Sequence, residues 1–400
     1  MLSLYVHIPF CQKKCGYCSF PVIPIEKLQE PWSYAAAYQK ALFRDIHQMW
    51  EKYKKENIYT VYVGWGTPLL LWSAYLIEII DEVLRCFDCS HLEELSIECN
   101  PYPYDETLQA VQDIIKHYAS LPRVRFSFGI QSLDDDILQK SNRDNTFAGV
   151  QTFTEKLLGL KEKQVLYNYD FIAFGRTMTP DSDQDRWFRE LVQSHQIDSF
   201  SLYTLELFAW AKRYHPQTDP LIAYKAPRDH KVPFTTSDDA IFGDFSSHKK
   251  ILHDAWYGRY EISNYALPGK ESLHNSMYRT MQPYLGLWLW AHSLFPHMER
   301  WAIGGGRKQY IDSIETEALF TRTPLSLLDQ EIESCFLSLR TSKGLYPLSR
   351  YTNLFFSDWQ QRIQKLQEQK LAIYDNDRLV LTDAGMDVHH LVCTYLMERV

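Results

Sequence analysis

Six short apolar or alternating runs, at 2–8, 59–64, 94–99, 124–130, 167–174 and 198–205, are separated by stretches with helical periodicity near 31–56, 74–87, 106–119, 147–163 and 182–194. This alternation constrains the fold more than any other feature. Parallel neighbours need a crossover long enough to carry a helix, and such crossovers are right-handed. The pattern therefore predicts an α/β fold with a parallel sheet. Six units that close part of the way form a partial (β/α)6 barrel. Ligands in such folds meet the loops at the carboxyl ends of the strands.

Polar and glycine residues gather at those ends. Cys11, Cys15 and Cys18 follow the first run, and Gly64-Trp65-Gly66-Thr67-Pro68 follows the second. Glu98 and Asn100-Pro101 close the third, Gln131-Ser132 the fourth, Asp170 lies in the fifth, and Thr204 ends the sixth. Each of Glu98, Gln131 and Asp170 alone reads as an ordinary buried polar group with its hydrogen bonds met. Their convergence on one rim with the cysteines is what marks a site.

The rest of the chain has a different texture. The stretch 207–250 is polar, irregular and rich in Pro and Asp, and reads as a surface insertion or linker. From about 326, helical patterns near 327–340, 347–354 and 357–370 precede two short strand-like runs and a last helix. That order resembles a winged-helix unit. The expected organisation is a barrel over 1–210, an insertion and extension packing on it over 211–325, and a smaller helical, winged-helix-like domain over 326–400. A chain of 400 residues is long enough for this, since single cores stop growing at roughly 250–300 residues. The net charge of −8 argues against a nucleic-acid partner, so the terminal unit is expected to pack or dock. No run of eighteen apolar residues is present, so no transmembrane segment is expected, although peripheral membrane contact stays open. The first residues carry no secretory pattern, which makes a cytoplasmic location the expectation.

In a reducing compartment, clustered cysteines read as metal or redox sites rather than disulfides. Of the eight cysteines, two groups are tight: Cys11-x3-Cys15-x2-Cys18, and Cys86 with Cys89. The second pair ends a helical run, with no further ligand at zinc-like spacing nearby, and reads as incidental thiols. The first follows a strand and sits on a short loop. Three soft sulfur ligands there suit an iron–sulfur cube with one iron left open. A three-cysteine zinc loop completed by a histidine, or free thiols, remain alternatives on spacing alone.

Tyr5-Val6-His7-Ile8-Pro9-Phe10-Cys11 with Cys15-Gly16-Tyr17-Cys18 resembles the CxxxCxxC signature of the radical S-adenosylmethionine (SAM) family. Within it, the chain resembles the group that holds HemW haem chaperones and oxygen-independent coproporphyrinogen III oxidases. Further matches are Gly66-Thr67-Pro68, Ile97-Glu98-Cys99-Asn100-Pro101, Ser127-Phe128-Gly129-Ile130-Gln131-Ser132 and Asn142-Arg143. Later come Tyr260-Glu261-Ile262-Ser263-Asn264-Tyr265-Ala266, His274-Asn275, Tyr284-Leu285-Gly286 and Ala291-His292-Ser293.

The resemblance implies a [4Fe–4S] cluster on Cys11, Cys15 and Cys18, with SAM on the open iron and cleaved to a 5′-deoxyadenosyl radical. Tyr5 and Tyr17 would flank cluster and adenine. Gly66 and Thr67 would meet the methionyl part, Trp65 would stand beside them in the cofactor site, and Glu98, Gln131, Arg143 and Asp170 would line the polar rim. Thr204 matches an adenine-contacting backbone position, and His274 is the candidate haem contact. The implied partners are haem or a porphyrin, an electron donor and a haem-accepting protein. Phe20 stands where the oxidase carries a fourth cysteine, which favours the chaperone. The oxidase, an enzyme decarboxylating coproporphyrinogen III, and a degenerate non-catalytic member are the alternatives.

Several positions depart from the family. Trp65 replaces the middle of three glycines, and Trp288 and Trp290 replace two more. Gly175-Arg176-Thr177-Met178-Thr179-Pro180 stands for the usual Gly-Leu-Pro-Gly-Gln-Thr, and Arg279 for the tryptophan after His274. These changes spare the cysteines and are expected to weaken or reshape SAM binding.

Overall fold

The computed structural model describes residues 1–205, 236–295, 298–351 and 358–397. Six parallel strands form its centre: β1 (Leu2–Ile8), β2 (Ile58–Trp65), β3 (Glu94–Cys99), β4 (Val124–Gln131), β5 (Val165–Ala173) and β6 (Ser199–Thr204). They lie in chain order, as repeated right-handed crossovers require. The crossovers hold α1 (Pro31–Tyr53), α2 (Ser73–Cys86), α3 (Tyr104–His117), α4 (Asp135–Lys140), α5 (Phe147–Leu158) and α6 (Asp183–Gln193).

Local sequence explains these elements. In β1 six of the seven residues are buried, the mark of a strand covered on both faces. In α2, Leu76, Ile79, Ile80 and Val83 recur at helical spacing and are buried. Side chains of Asp134, Thr146 and Ser182 accept from backbone N–H groups and start α4, α5 and α6.

The sheet runs on beyond the six strands. Helix α7 (Asp238–Asp254) packs on β5 and β6, and β7 (Gly258–Glu261) and β8 (Asn264–Ala266) extend the β6 edge antiparallel. Helix α8 (Leu273–Arg279) leads to β9 (Tyr284–Leu287), which pairs parallel with β1. Then β10 (His292–Leu294), β11 (Glu299–Ile303) and β12 (Phe320–Pro324) continue antiparallel, with α9 (Arg307–Asp312) between the last two. Among the described residues the sheet has twelve strands.

Two expectations need correction. The irregular stretch at 207–250 falls largely outside the described residues, but 238–254 is a helix that buries Ile241, Phe245, Ile251 and Leu252. The helical pattern at 347–354 yields only a short 3-10 turn at Leu348–Arg350, and 352–354 lies outside the described residues.

A second hydrophobic core, separate from that of the sheet, spans Cys335 to Leu396. It is built from α10 (Leu327–Ser338), α11 (Trp359–Glu368), the hairpin β13 (Ala372–Asp375) and β14 (Arg378–Leu381), α12 (Asp383–Asp387) and α13 (His389–Met397). The fold is thus a partial α/β barrel followed by a smaller, mainly helical unit.

Candidate functional site

A cavity of about 410 Å³ opens at the carboxyl ends of β1 to β6. Cys11, Cys15 and Cys18 line it together with Glu98, Gln131, Arg143 and Asp170. Trp65, Gly66, Thr67 and Tyr17 complete the wall. The cysteine loop is held at both ends. Phe10–Cys11 pairs in parallel with Ile23–Pro24, closing the loop at its neck. Its middle is tied to the segment after α4: Gly16 N–H donates to the Ser141 carbonyl (3.0 Å), Asn142 Nδ2 to the Lys14 carbonyl (2.9 Å), and Lys13 pairs with Asp144 (2.6 Å).

Gly66 has a specific role in this closure. A Cβ there would stand 2.4 Å from the Phe10 carbonyl oxygen and 2.8 Å from that of Ile8. Without one, the Gly66 and Thr67 N–H groups donate to Ile8 and Phe10 (2.9 and 2.7 Å), locking the end of β2 to the start of the loop. The close approach that this glycine permits is therefore to backbone.

The three thiols open onto one cavity, as ligands of a shared metal centre would. Burial pushes the Cys11 thiol up to about 12, and the neighbouring Cys18 and Cys15 add to the rise. Cys18 is also raised, mainly by burial. Iron, by replacing the protons of buried thiols such as Cys11 and Cys18, would stabilise them as ligands. Thr67 Oγ1 lies 3.9 Å from Cys11 Sγ, and Arg143 Nη1 lies 3.7 Å from Cys15 Sγ.

Within the cavity two carboxyl groups share one environment. Glu98 accepts from the Tyr62 hydroxyl (2.5 Å) and from the Trp65 N–H (2.6 Å). Asp170 accepts from Ser127 Oγ (2.9 Å) and Asn168 Nδ2 (2.8 Å). Burial raises both pKa values, hydrogen bonds moderate the rise, and Asp170 adds to that of Glu98. Such a pair lowers its energy by meeting a cation. Arg143 lines the same cavity, donating to Asn100 Oδ1 (2.8 Å), Asn145 Oδ1 (2.9 Å) and the Tyr17 hydroxyl (3.2 Å).

The tryptophans keep glycine-like backbone. Trp65, Trp288 and Trp290 have φ of 102°, 96° and 69°, which L residues rarely adopt. Trp65 leans on the cysteine loop: its ring stacks on Phe20 at 4.2 Å, and Nε1 donates to the Pro21 carbonyl (3.0 Å). Trp288 is fully buried against His7, Tyr38 and Tyr310. Neither Trp288 nor Trp290 lines the cavity.

Three expected residues are not brought to it. Tyr5 lies beneath, stacked with Tyr62 (6.1 Å) and bonded to His7 Nδ1 (3.2 Å). Thr204 is exposed at the end of β6. His274 is fully buried, with Nδ1 bonded to Thr60 Oγ1 and Nε2 to the Tyr278 hydroxyl, both at 2.7 Å. Conversely, Tyr102, Ile172 and Tyr203 line the wall without having been singled out. Period-two alternation gives a signal for two of them, since Ile172 shares a face with Asp170, and Tyr203 with Ser201.

Residues 5–184 match the family model described as the Radical SAM superfamily. A partial barrel with three cysteines after its first strand accords with that match, so this stretch of the chain is similar to the radical SAM superfamily. Its curated relatives extend over nearly the whole chain. Heme chaperone HemW of Lactococcus lactis is 27% identical over 395 residues, covering 96% of this chain and 94% of its own length. HemW of Haemophilus influenzae is 27% identical over 409 residues, covering 100% and 98%. Radical S-adenosyl methionine domain-containing protein 1, mitochondrial, of Bos taurus is 25% identical, covering 99% and 87%. Among solved structures, coproporphyrinogen III oxidase (HemN) from Escherichia coli aligns with a TM-score of 0.75 at 19% identity, covering 100% of this chain and 90% of that one. That likeness establishes the fold. No described helix is long and apolar enough to cross a membrane.

Proposed function

We propose that this chain is a haem-binding chaperone of the HemW type, holding a [4Fe–4S] cluster on Cys11, Cys15 and Cys18 with SAM beside it. The observation that carries the reading is the opening of three thiols onto the same cavity as Glu98, Asp170 and Arg143. When bound, the cluster supplies an open iron for SAM and the electron for its reductive cleavage. The chain's own residues do the rest. Glu98 and Asp170 face the positive charge of SAM, Arg143 and Tyr17 brace the cysteine loop, and Gly66 and Thr67 set its distance from β2. The whole-length HemW relatives support haem as cargo. Phe20 adds to this, because a ring stacked on Trp65 stands where the oxidase has a thiol. His274 is not part of the proposed haem contact, since Thr60 and Tyr278 engage both ring nitrogens.

The test is anaerobic cluster reconstitution followed by two measurements on one sample. These are haem titration, and 5′-deoxyadenosine release with and without coproporphyrinogen III. Haem binding without decarboxylation is the expected result. Substrate-dependent 5′-deoxyadenosine with vinyl products would make the protein an oxidase. Protein that stays colourless and iron-free, like its Cys11→Ala/Cys15→Ala/Cys18→Ala variant, would refute the cluster itself.

A further inference from the structure

Cys86 and Cys89 take no part in the cavity. In sequence no further metal ligand stands at matching spacing beside them, but in space two do. Cys86 is the last residue of α2, and Glu82 precedes it by one helical turn on the same face. His47 reaches both from α1, the helix packed alongside. One donor atom from each of His47, Glu82 and Cys86 lies within 4.8 Å of the others. Cys86 Sγ is 3.7 Å from Glu82 Oε1, and His47 Nε2 is hydrogen-bonded to that same oxygen.

We propose that His47, Glu82 and Cys86 form a transition-metal site, suited first to zinc, that ties α1 to α2 on the outside of the barrel. Tetrahedral zinc holds N, O and S ligands at about 2.0–2.3 Å, which spaces the ligand atoms roughly 3.3–3.8 Å apart. The Cys86–Glu82 pair already has that spacing. The imidazole must withdraw from the carboxylate to admit the ion, and its side chain is 50% exposed, which leaves room. Sulfur and imidazole donors select zinc over magnesium or calcium. Arg85 donates to both Glu82 oxygens, Nε to Oε2 at 2.9 Å and Nη2 to Oε1 at 2.5 Å, and its Nη2 lies 3.6 Å from Cys86 Sγ. Its guanidinium is exposed and swings away as one plane when the metal arrives. On binding, the Cys86 S–H bond breaks, sulfur takes the metal and the proton leaves to solvent. His47 gives its Nε2 lone pair, and water fills the fourth position.

The full-length Cys11→Ala/Cys15→Ala/Cys18→Ala variant removes the competing thiols, and far-UV circular dichroism checks that it is folded. Titrated anaerobically with cobalt(II), it is expected to saturate at equimolar metal. A thiolate-to-cobalt band should appear in the near ultraviolet with four-coordinate bands in the visible, all displaced by zinc. Adding Cys86→Ser should remove the near-ultraviolet band, and His47→Ala should weaken binding about tenfold or more while keeping it. Cys89→Ser should change neither. Absence of the band at excess cobalt, or its survival in the Cys86→Ser protein, overturns the site. If the triple variant does not fold, cluster-loaded wild type and Cys86→Ser are compared for zinc retained after dialysis against zinc. An extra equivalent in wild type supports the site, and equal content overturns it.

Discussion

Replacing Glu98 by glutamine separates what this residue does for the fold from what it does for a ligand. Glutamine keeps the shape: its carbonyl oxygen still accepts from the Trp65 N–H, while its amide faces the Tyr62 hydroxyl, whose own O–H hydrogen loses its acceptor. It also removes a buried carboxyl whose pKa burial has raised. A folded-state carboxyl pKa above the unfolded value favours the fold at low pH, and this contribution is lost as pH rises through the raised value. Relative to wild type, Glu98→Gln is therefore expected to gain stability as pH rises through the raised value, with the difference levelling off below it. Ligand binding should move the opposite way. A hydrogen bond to a charged group is worth about 1.5–3 kcal/mol, which corresponds to roughly 10- to 150-fold weaker SAM binding. In wild type, affinity for this cationic ligand should also fall as pH drops through the raised pKa, and the variant should lack that dependence. Anaerobic titration calorimetry reads the affinity, and differential scanning calorimetry the stability. Glu98→Ala is the contrast, since it strands two buried donors at about 1–3 kcal/mol each and must lower Tm. Wild-type SAM affinity in a stably folded Glu98→Gln protein would show that Glu98 does not face the ligand's charge.

Three further outcomes are expected. Gly66→Ala drives a methyl group into rigid backbone at Phe10 and Ile8, an overpacking cost of about 1–3 kcal/mol. Its Tm should fall by several degrees, and an unchanged Tm would contradict the closure described for the cysteine loop. Trp65→Gly loses the Phe20 stack (about 0.5–1.5 kcal/mol) and the bond to Pro21 (about 1 kcal/mol) but relieves backbone strain of about 1 kcal/mol or more. It should cost little stability yet raise SAM affinity by clearing the cavity wall, and unchanged affinity would mean that the indole does not shape the ligand space. Burial pulls His7 and His274 down from 6.5 to about 3. Both contribute stability above pH 6.5 that is lost as pH falls toward about 3, and denaturant titrations across that window should be less steep in pH for His274→Gln.

Periodicity made the six-strand centre legible, because buried parallel strands and one-sided helices have distinct repeats. The added strands at both sheet edges were not legible. β8 and β10 are three residues each, too short for an alternation to stand out. Helix α7 hid behind Asp244 and His248, which are polar yet buried and break its apolar stripe. The cysteines, Glu98, Gln131 and Asp170 were found because each lies in, ends or follows a strand on one rim, whereas Arg143 came from a motif match. Tyr5 and His274 were assigned by motif, and motif adjacency does not say which face of the sheet a side chain takes. Tyr203 went unnoticed beside Thr204, although a strand's two faces alternate and only one of the two could look inward. The ligands near Cys86 were invisible for another reason: His47 comes from a helix one whole βα unit earlier.

The parallel pairing of Phe10–Cys11 with Ile23–Pro24 makes the cysteine segment a pouch with a drawn neck. That pairing uses backbone alone and asks nothing of the three sulfurs. For the proposed cluster, filling would then be a local event, and assembly of the scaffold need not wait for its inorganic cargo.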